Sequence, residues 1–168
     1  MSKKILLTGA SGYIGSSILK FLIKKNYKIF ALYFRKKKDF INHKNVKYIC
    51  CDLTLKKKLK TIFQNYDFDT IINLAALKDY KKKNLKDILK KNISIQKNIL
   101  ENCTNKSIKL FIYFSSISVY ENIKKKNFKE NYSIKPKSFY SLAKLQCEKM
   151  LYNFSKKKNM NSIVLKIS

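Results

Sequence analysis

Tyr140 and Lys144 stand four residues apart in the stretch "FYSLAK". On a helix that spacing sets both side chains on one face. A phenol beside an ammonium is a proton-transfer pair. Free tyrosine ionises near pH ~10, too high for a base at neutral pH, and an adjacent positive charge favours the phenolate. Bringing the pKa down to neutrality requires ~4 kcal/mol of differential stabilisation. A second set of residues lies at the other end of the chain. The stretch "TGASGYIGS" holds Gly9, Gly12 and Gly15, the only three glycines in 168 residues, where average usage supplies about a dozen. A glycine-rich turn between a strand and a helix suits the pyrophosphate of a dinucleotide. The first glycine permits the tight turn, the second lets the phosphates approach the backbone, and the third lets helix and strand pack closely. The helix N-terminus adds free N–H groups and a partial positive charge.

These residues need a scaffold, and the hydrophobic pattern supplies one. "KKILLT" is a short apolar run ended by glycine, predicting the first strand. Ile14, Ile18, Leu19, Leu22 and Ile23 recur at helical spacing over 13–25. "YKIFALYF" and "VKYICC" predict strands two and three. Thr54 is placed to cap a helix running to about Gln64. "DTIINLAA" predicts strand four, 85–103 a long helix, "KLFIYFSS" strand five, 138–157 another helix and "NSIVLKIS" a last strand. Unbroken apolar strands are buried on both faces, which implies a parallel sheet covered by helices. The fold class is therefore α/β, a Rossmann-type doubly wound parallel sheet with helices on both faces, in one domain over 1–168. The polar stretch 121–137 is the one long connection, of a kind that often borders a site.

Composition excludes several functions. The longest apolar runs fall far short of the ~20 residues that cross a bilayer, and the N-terminus lacks a signal-peptide core. A soluble, cytoplasmic protein is expected, with no membrane partner. The net charge of +28 invites a nucleic-acid reading, but Arg35 is the only arginine beside 37 lysines. Arginine is the better residue for bidentate phosphate and base contacts. The scattered lysine triplets predict a solvated basic surface with no specific nucleic-acid partner. Cys50, Cys51, Cys103 and Cys147 form no C-x-x-C pair, and His43 is the only histidine. Reduced thiols are expected, with neither a metal centre nor a Ser-His-Asp triad.

The motifs taken in order resemble the extended short-chain dehydrogenase/reductase family, the sugar-nucleotide epimerases, dehydratases and reductases. "TGASGYIGS" is similar to that family's N-terminal turn, though its first gap is wider than in the standard dinucleotide fingerprint. "CDL" matches at Asp52 and Leu53, where the family's aspartate contacts the adenine amine. "NLAA" departs at Asn73 from the usual histidine and retains Leu74, Ala75 and Ala76. "KNISIQKNIL" supplies Asn92, which the family uses to hold a helix distortion and a water relay. "FSSISVY" aligns Ser116 with the catalytic serine, with Ser115 and Ser118 as secondary contacts. "FYSLAK" supplies Tyr140 as acid/base and Lys144, which in the family also bonds the nicotinamide ribose. Pro136, the only proline, stiffens the approach to Tyr140.

The resemblance implies catalytic Ser116, Tyr140, Lys144 and Asn92. It implies cofactor contacts from Gly9, Ser11, Gly12, Tyr13, Ile14 and Gly15, from Tyr33 and Arg35 at the end of strand two, and from Asp52 and Leu53. Leu74, Ala75, Ala76, Lys78, Asn92, Tyr140 and Lys144 complete that set. NAD-preferring relatives end strand two with an acid. Here Tyr33, Phe34, Arg35 and Lys36 stand there, with no acid before Asp39. Arginine suits a 2′-phosphate, so NADP is expected, with NAD the alternative. "LAALKDY" is similar to a stretch of UDP-sugar 4-epimerases, whereas the end of strand two points to reductases or dehydratases. The implied function is hydride transfer on a nucleotide-sugar. The alternative is a non-catalytic NADP-binding domain or inactive fragment, because such families continue into a C-terminal substrate domain that is expected to be absent here. A homodimer through helices 85–103 and 138–157 is a further expectation.

Overall fold

The computed structural model describes residues 2–35, 40–78, 84–104, 107–120 and 132–168. Strands β1 (Lys4–Thr8), β2 (Lys28–Tyr33), β3 (Val46–Cys50), β4 (Thr70–Asn73), β5 (Leu110–Ser116) and β6 (Asn161–Ile167) alternate with helices except between β2 and β3, which among the described residues are joined without one. The α-helices are α1 (Tyr13–Lys24), α2 (Lys56–Asn65), α3 (Leu85–Asn102) and α4 (Phe139–Lys158), with a single 3₁₀ turn at Ile117–Val119 after β5. The strands form one sheet in the order β3-β2-β1-β4-β5-β6, and every pairing is parallel. The strand order reverses between β1 and β4, which leaves a crevice beyond the carboxyl ends of those two strands.

The doubly wound reading holds, with the helices unevenly shared. Leu6, Phe30, Leu32, Ile71 and Phe111 of the sheet pack with Leu59 of α2, Ile99 of α3 and Leu151 of α4. Ile5, Leu7, Ile29, Ala31 and Ile72 pack on the other side with Leu19 and Leu22 of α1, flanked by Ile18 and Ile23 of the same helix. Beside α1, an aromatic group replaces a second helix over β2 and β3. Phe40 stacks on Tyr48 at 4.2 Å, Tyr33 meets Phe40 edge-on at 4.8 Å, and the Ile41 N–H donates to the Tyr48 hydroxyl. Over β5 and β6 no helix covers this side among the described residues, and Ile112 and Phe114 are only partly buried there. Ile112 and Phe114 pair in register with Ile163 and Leu165, and the latter two are 44% and 39% exposed.

Asparagine does much of the work that glycine usually does. Asn26 and Asn159 take left-handed φ values of 57° and 49° just past α1 and at the end of α4, where a glycine ordinarily ends a helix. A short polar side chain makes that conformation tolerable. Helix α4 begins with a capping box in which Ser138 and Ser141 satisfy each other's backbone N–H. The expected cap at Thr54 is not formed. Asp52 Oδ1 accepts both the Thr54 N–H, at 2.9 Å, and the Thr54 hydroxyl, at 2.7 Å, so that hydroxyl turns backward and Leu55 precedes α2 without a side-chain cap. Of the 121–137 connection, residues 121–131 lie outside the described residues, and Ile134 bridges antiparallel to Tyr120.

Candidate functional site

The glycine turn is closed by its own backbone. Gly9 sits at φ +67°, and its carbonyl accepts the Gly12 N–H at 2.9 Å. A Cβ on Gly15 would stand 2.2 Å from that same carbonyl oxygen, so only glycine lets α1 pass this close. A Cβ on Gly12 would meet nothing but the Gly9 oxygen at 3.2 Å, which leaves its other side free for a ligand. The first helical bond runs from Ser16 N to Gly12 O. The N–H groups of Tyr13, Ile14 and Gly15 are therefore left open by the helix itself, and no acidic side chain occupies the first turn. The side chains of Tyr13 and Ile14 are exposed.

A buried polar tie fixes this turn to the end of β4. Thr8 donates its hydroxyl to Asn73 Oδ1 at 2.5 Å, and Asn73 Nδ2 donates to Gln96 on α3 at 2.7 Å. The Ala75 N–H donates to both Asn73 Oδ1 and Thr8 Oγ1. Asn73, the departure from the usual histidine, is a cross-link between β1, β4 and α3.

Above the tie lies a cleft of about 530 Å³. It gathers Gly9, Ser11 and Gly12 from the turn, Tyr33 and Arg35 from the end of β2, and Asp52 and Leu53 from the end of β3. Leu74, Ala75, Ala76 and Lys78 line it from the segment after β4. Sequence reasoning missed Leu32, Phe34, Cys51, Thr54, Leu77, Lys91 and Ile95, which share the lining. Lys91 and Ile95 flank Asn92 on α3, a helical neighbourhood that was legible; Lys91 is held by Asp87 at 2.7 Å. Asp39, the nearest acid after β2, lies outside the described residues.

Asn92 brackets the far wall. Its Oδ1 accepts the Leu77 N–H at 2.7 Å and its Nδ2 donates to the Leu77 carbonyl at 2.9 Å. Helix α3 runs as continuous α-helix through Asn92, so the expected distortion is not formed there: the amide is spent on the adjoining loop.

Lys78 links the cleft to the Tyr140–Lys144 pair. Its Nζ lies 5.7 Å from the Tyr140 ring centroid, and Lys144 Nζ lies at the same distance. Both cations are within range of the ring's negative face. Lys144 Nζ also donates to the Phe114 carbonyl at 2.6 Å and sits 4.9 Å from the Tyr113 ring. Burial pushes the Lys144 amine down to about 8, against the upward pull of Cys147 and Glu148. Ser116 Oγ accepts the Ser118 N–H at 3.2 Å and starts the 3₁₀ turn. Strand alternation turns Ser115 to the α4 side, where it donates to Glu148. That contact engages the Ser115 hydroxyl with α4. Ser118 Oγ is buried with no hydrogen-bond partner among the described residues.

The four cysteines are free, and burial pushes Cys51 and Cys147 up to about 11. No cluster of three metal-ligating side chains occurs among the described residues, and no described helix is long and apolar enough to cross a membrane. A family model, the NAD dependent epimerase/dehydratase family, matches residues 5–168. The chain belongs to that family. Among curated members it is 28% identical to the uncharacterized UDP-glucose epimerase YtcB of Bacillus subtilis, over 97% of this chain and 55% of the relative. It is 29% identical to an ADP-L-glycero-D-manno-heptose-6-epimerase of Brachyspira hyodysenteriae, over 96% and 52%. A solved UDP-glucuronic acid 4-epimerase from Bacillus cereus, in complex with NAD, superposes with a TM-score of 0.81 at 26% identity, covering 98% of this chain and 56% of its own. The chain thus spans about half the length of the epimerase/dehydratase relatives it matches.

Proposed function

We propose that this chain forms the dinucleotide-binding part of an enzyme that moves hydride at a carbon of a nucleotide-sugar, with Tyr140 as acid/base. The observation that carries the reading is the continuity from cleft to phenol. The glycine turn opens one end of the cleft, and Lys78, lining the other, stands beside Tyr140. The open side of Gly12 and the unspent N–H groups of the first α1 turn fit a pyrophosphate. Asp52 and Arg35 line the part of the cleft by β2 and β3, where an adenosine would sit.

Bound dinucleotide supplies the hydride acceptor or donor. The chain's own residues supply orientation and proton movement. Asn92 fixes the Leu77 backbone and hence the segment that carries Lys78. Ser116, at the carboxyl end of β5, would donate a hydrogen bond to a substrate oxygen as charge develops on it. Tyr140 takes or returns the hydroxyl proton, and the ammonium groups of Lys78 and Lys144 favour its phenolate. Tyr140→Phe should retain dinucleotide binding while losing hydride transfer, measured as nicotinamide absorbance in single turnover with a UDP-hexose. Loss of neither in that variant would overturn the role.

Arg35 supports NADP over NAD, because no described carboxylate lines the cleft at the end of β2 to hold ribose hydroxyls. Calorimetric titration should give tighter binding of NADPH than NADH, with Arg35→Ala weakening NADPH about tenfold and NADH little. Equal affinities, unchanged in Arg35→Ala, would return the preference to NAD.

A further inference from the structure

Beneath the Tyr140–Lys144 pair, α4 carries a third ionisable side chain. Glu148 follows Lys144 by four residues, as Lys144 follows Tyr140, so the three line one side of the helix. Lys144 is 5% exposed and the Glu148 side chain 12%. Two strands hold the carboxylate in place. Ser115 of β5 donates its hydroxyl to Oε1, and Lys166 of β6 approaches Oε2 at 3.5 Å. Ser115 and Lys166 are register partners across β5 and β6, so Glu148 is clamped by one rung of the sheet.

We infer that Glu148 is a positioning residue for Lys144: anchored by Ser115 and Lys166, it supplies the negative charge that keeps a buried ammonium beside Tyr140. The inference rests on the reading of Tyr140 and Lys144 given above. A buried amine without an anion gives up its proton, and a neutral amine cannot favour a phenolate. The groups facing Lys144 can be named from each element. On α4 they are Tyr140, Cys147 and Glu148; on β5, the Tyr113 ring and the Phe114 carbonyl. Lys166 competes for the same carboxylate from β6, and Lys78 faces Tyr140 from the segment after β4. Burial raises the Cys147 thiol to about 11 and drives the Tyr113 phenol higher still, so both are neutral at pH 7. Among these groups Glu148 is the one carboxylate. Burial pulls Lys166 down, but Glu148 and Tyr120 outweigh it and leave Lys166 raised, so it remains a charged clamp.

The test is the titration of Lys144 itself, without dinucleotide, followed by NMR of ¹³C-lysine-labelled protein with the resonance assigned from Lys144→Met. In Glu148→Gln the proton affinity of Lys144 should fall about tenfold, with Glu148→Asp between it and the parent. Ser115→Ala, which frees the carboxylate, should lower it less. Lys166→Met, which leaves the carboxylate to Lys144 alone, should raise it. An unchanged midpoint in Glu148→Gln overturns the inference. Should that variant fail to fold by circular dichroism, equal midpoints in Ser115→Ala and Lys166→Met overturn it instead. NADPH titration of the parent tests the cofactor reading separately: binding with no Glu148 effect sinks only the inference, and a Glu148 effect without binding sinks only the cofactor reading.

Discussion

At the residue scale the site works against the fold that holds it. Lys144 must be buried to reach Tyr140, and burial penalises its charge. The amine of the folded chain sits at about 8, below its ordinary 10.5. Between those values the unfolded chain binds more protons, so this residue's contribution to stability rises with pH across that window. Below about pH 8 its full cost is present. Lys144→Met should therefore stabilise the chain at pH 7 by on the order of 2–3 kcal/mol, the gain vanishing above pH 10.5. Urea unfolding at pH 7 and pH 10.5 reads the difference directly, and a variant less stable than the parent at pH 7 would refute the argument. The Tyr140–Lys144 pair was legible because a four-residue spacing on a helix fixes a shared face. Ser115 was not, since both serines ending β5 look alike until the pleat assigns them to opposite sides of the sheet.

At the element scale the strand–turn–helix unit depends on one close approach. Gly15 passes the Gly9 carbonyl where a Cβ would lie at 2.2 Å, inside any tolerable contact with backbone, whereas Gly12 has 3.2 Å. Gly15→Ala should destabilise by about 3 kcal/mol or more and abolish dinucleotide binding, while Gly12→Ala should cost less than about 1 kcal/mol and weaken binding only. Equal unfolding midpoints for the two variants would contradict the geometry. The strands and helices themselves were readable within a residue or two, because long apolar runs and helical spacing state them twice over, except that β4 stops at Asn73 where the apolar run continues to Ala76. The helix ends were less so. Thr54 is a good cap by type, but Asp52 two residues earlier takes its hydroxyl. Asn92 resembles a residue that bends a helix, yet in place its amide ties down Leu77. Such outcomes depend on which partner stands within reach, and sequence order does not carry that.

At the scale of the whole molecule, charge and apolar surface oppose each other. A net charge of +28 keeps copies apart at low ionic strength, and the charges are largely screened beyond about 8 Å at physiological salt. Meanwhile β6 is the last strand of the described sheet, and among the described residues its Ile163 and Leu165 stand exposed beside the partly buried Ile112 and Phe114. An exposed apolar edge strand is a template for association, and repulsion between like-charged copies opposes it. Added salt should therefore promote aggregation of this chain, the reverse of what is expected where charge attraction drives association. Replacing Ile163 and Leu165 together by threonine puts a β-branched residue that suits a strand at both positions while removing apolar area. Light scattering between 0.05 and 0.5 M NaCl should rise for the parent and stay nearly flat for the double variant, whose stability should shift by no more than about 0.5 kcal/mol per site. Salt-induced scattering of equal size in both would place the sticky surface elsewhere, and binding of a hydrophobic dye, lowered in the double variant only if the β5–β6 face is the exposed patch, gives the same answer by a second route.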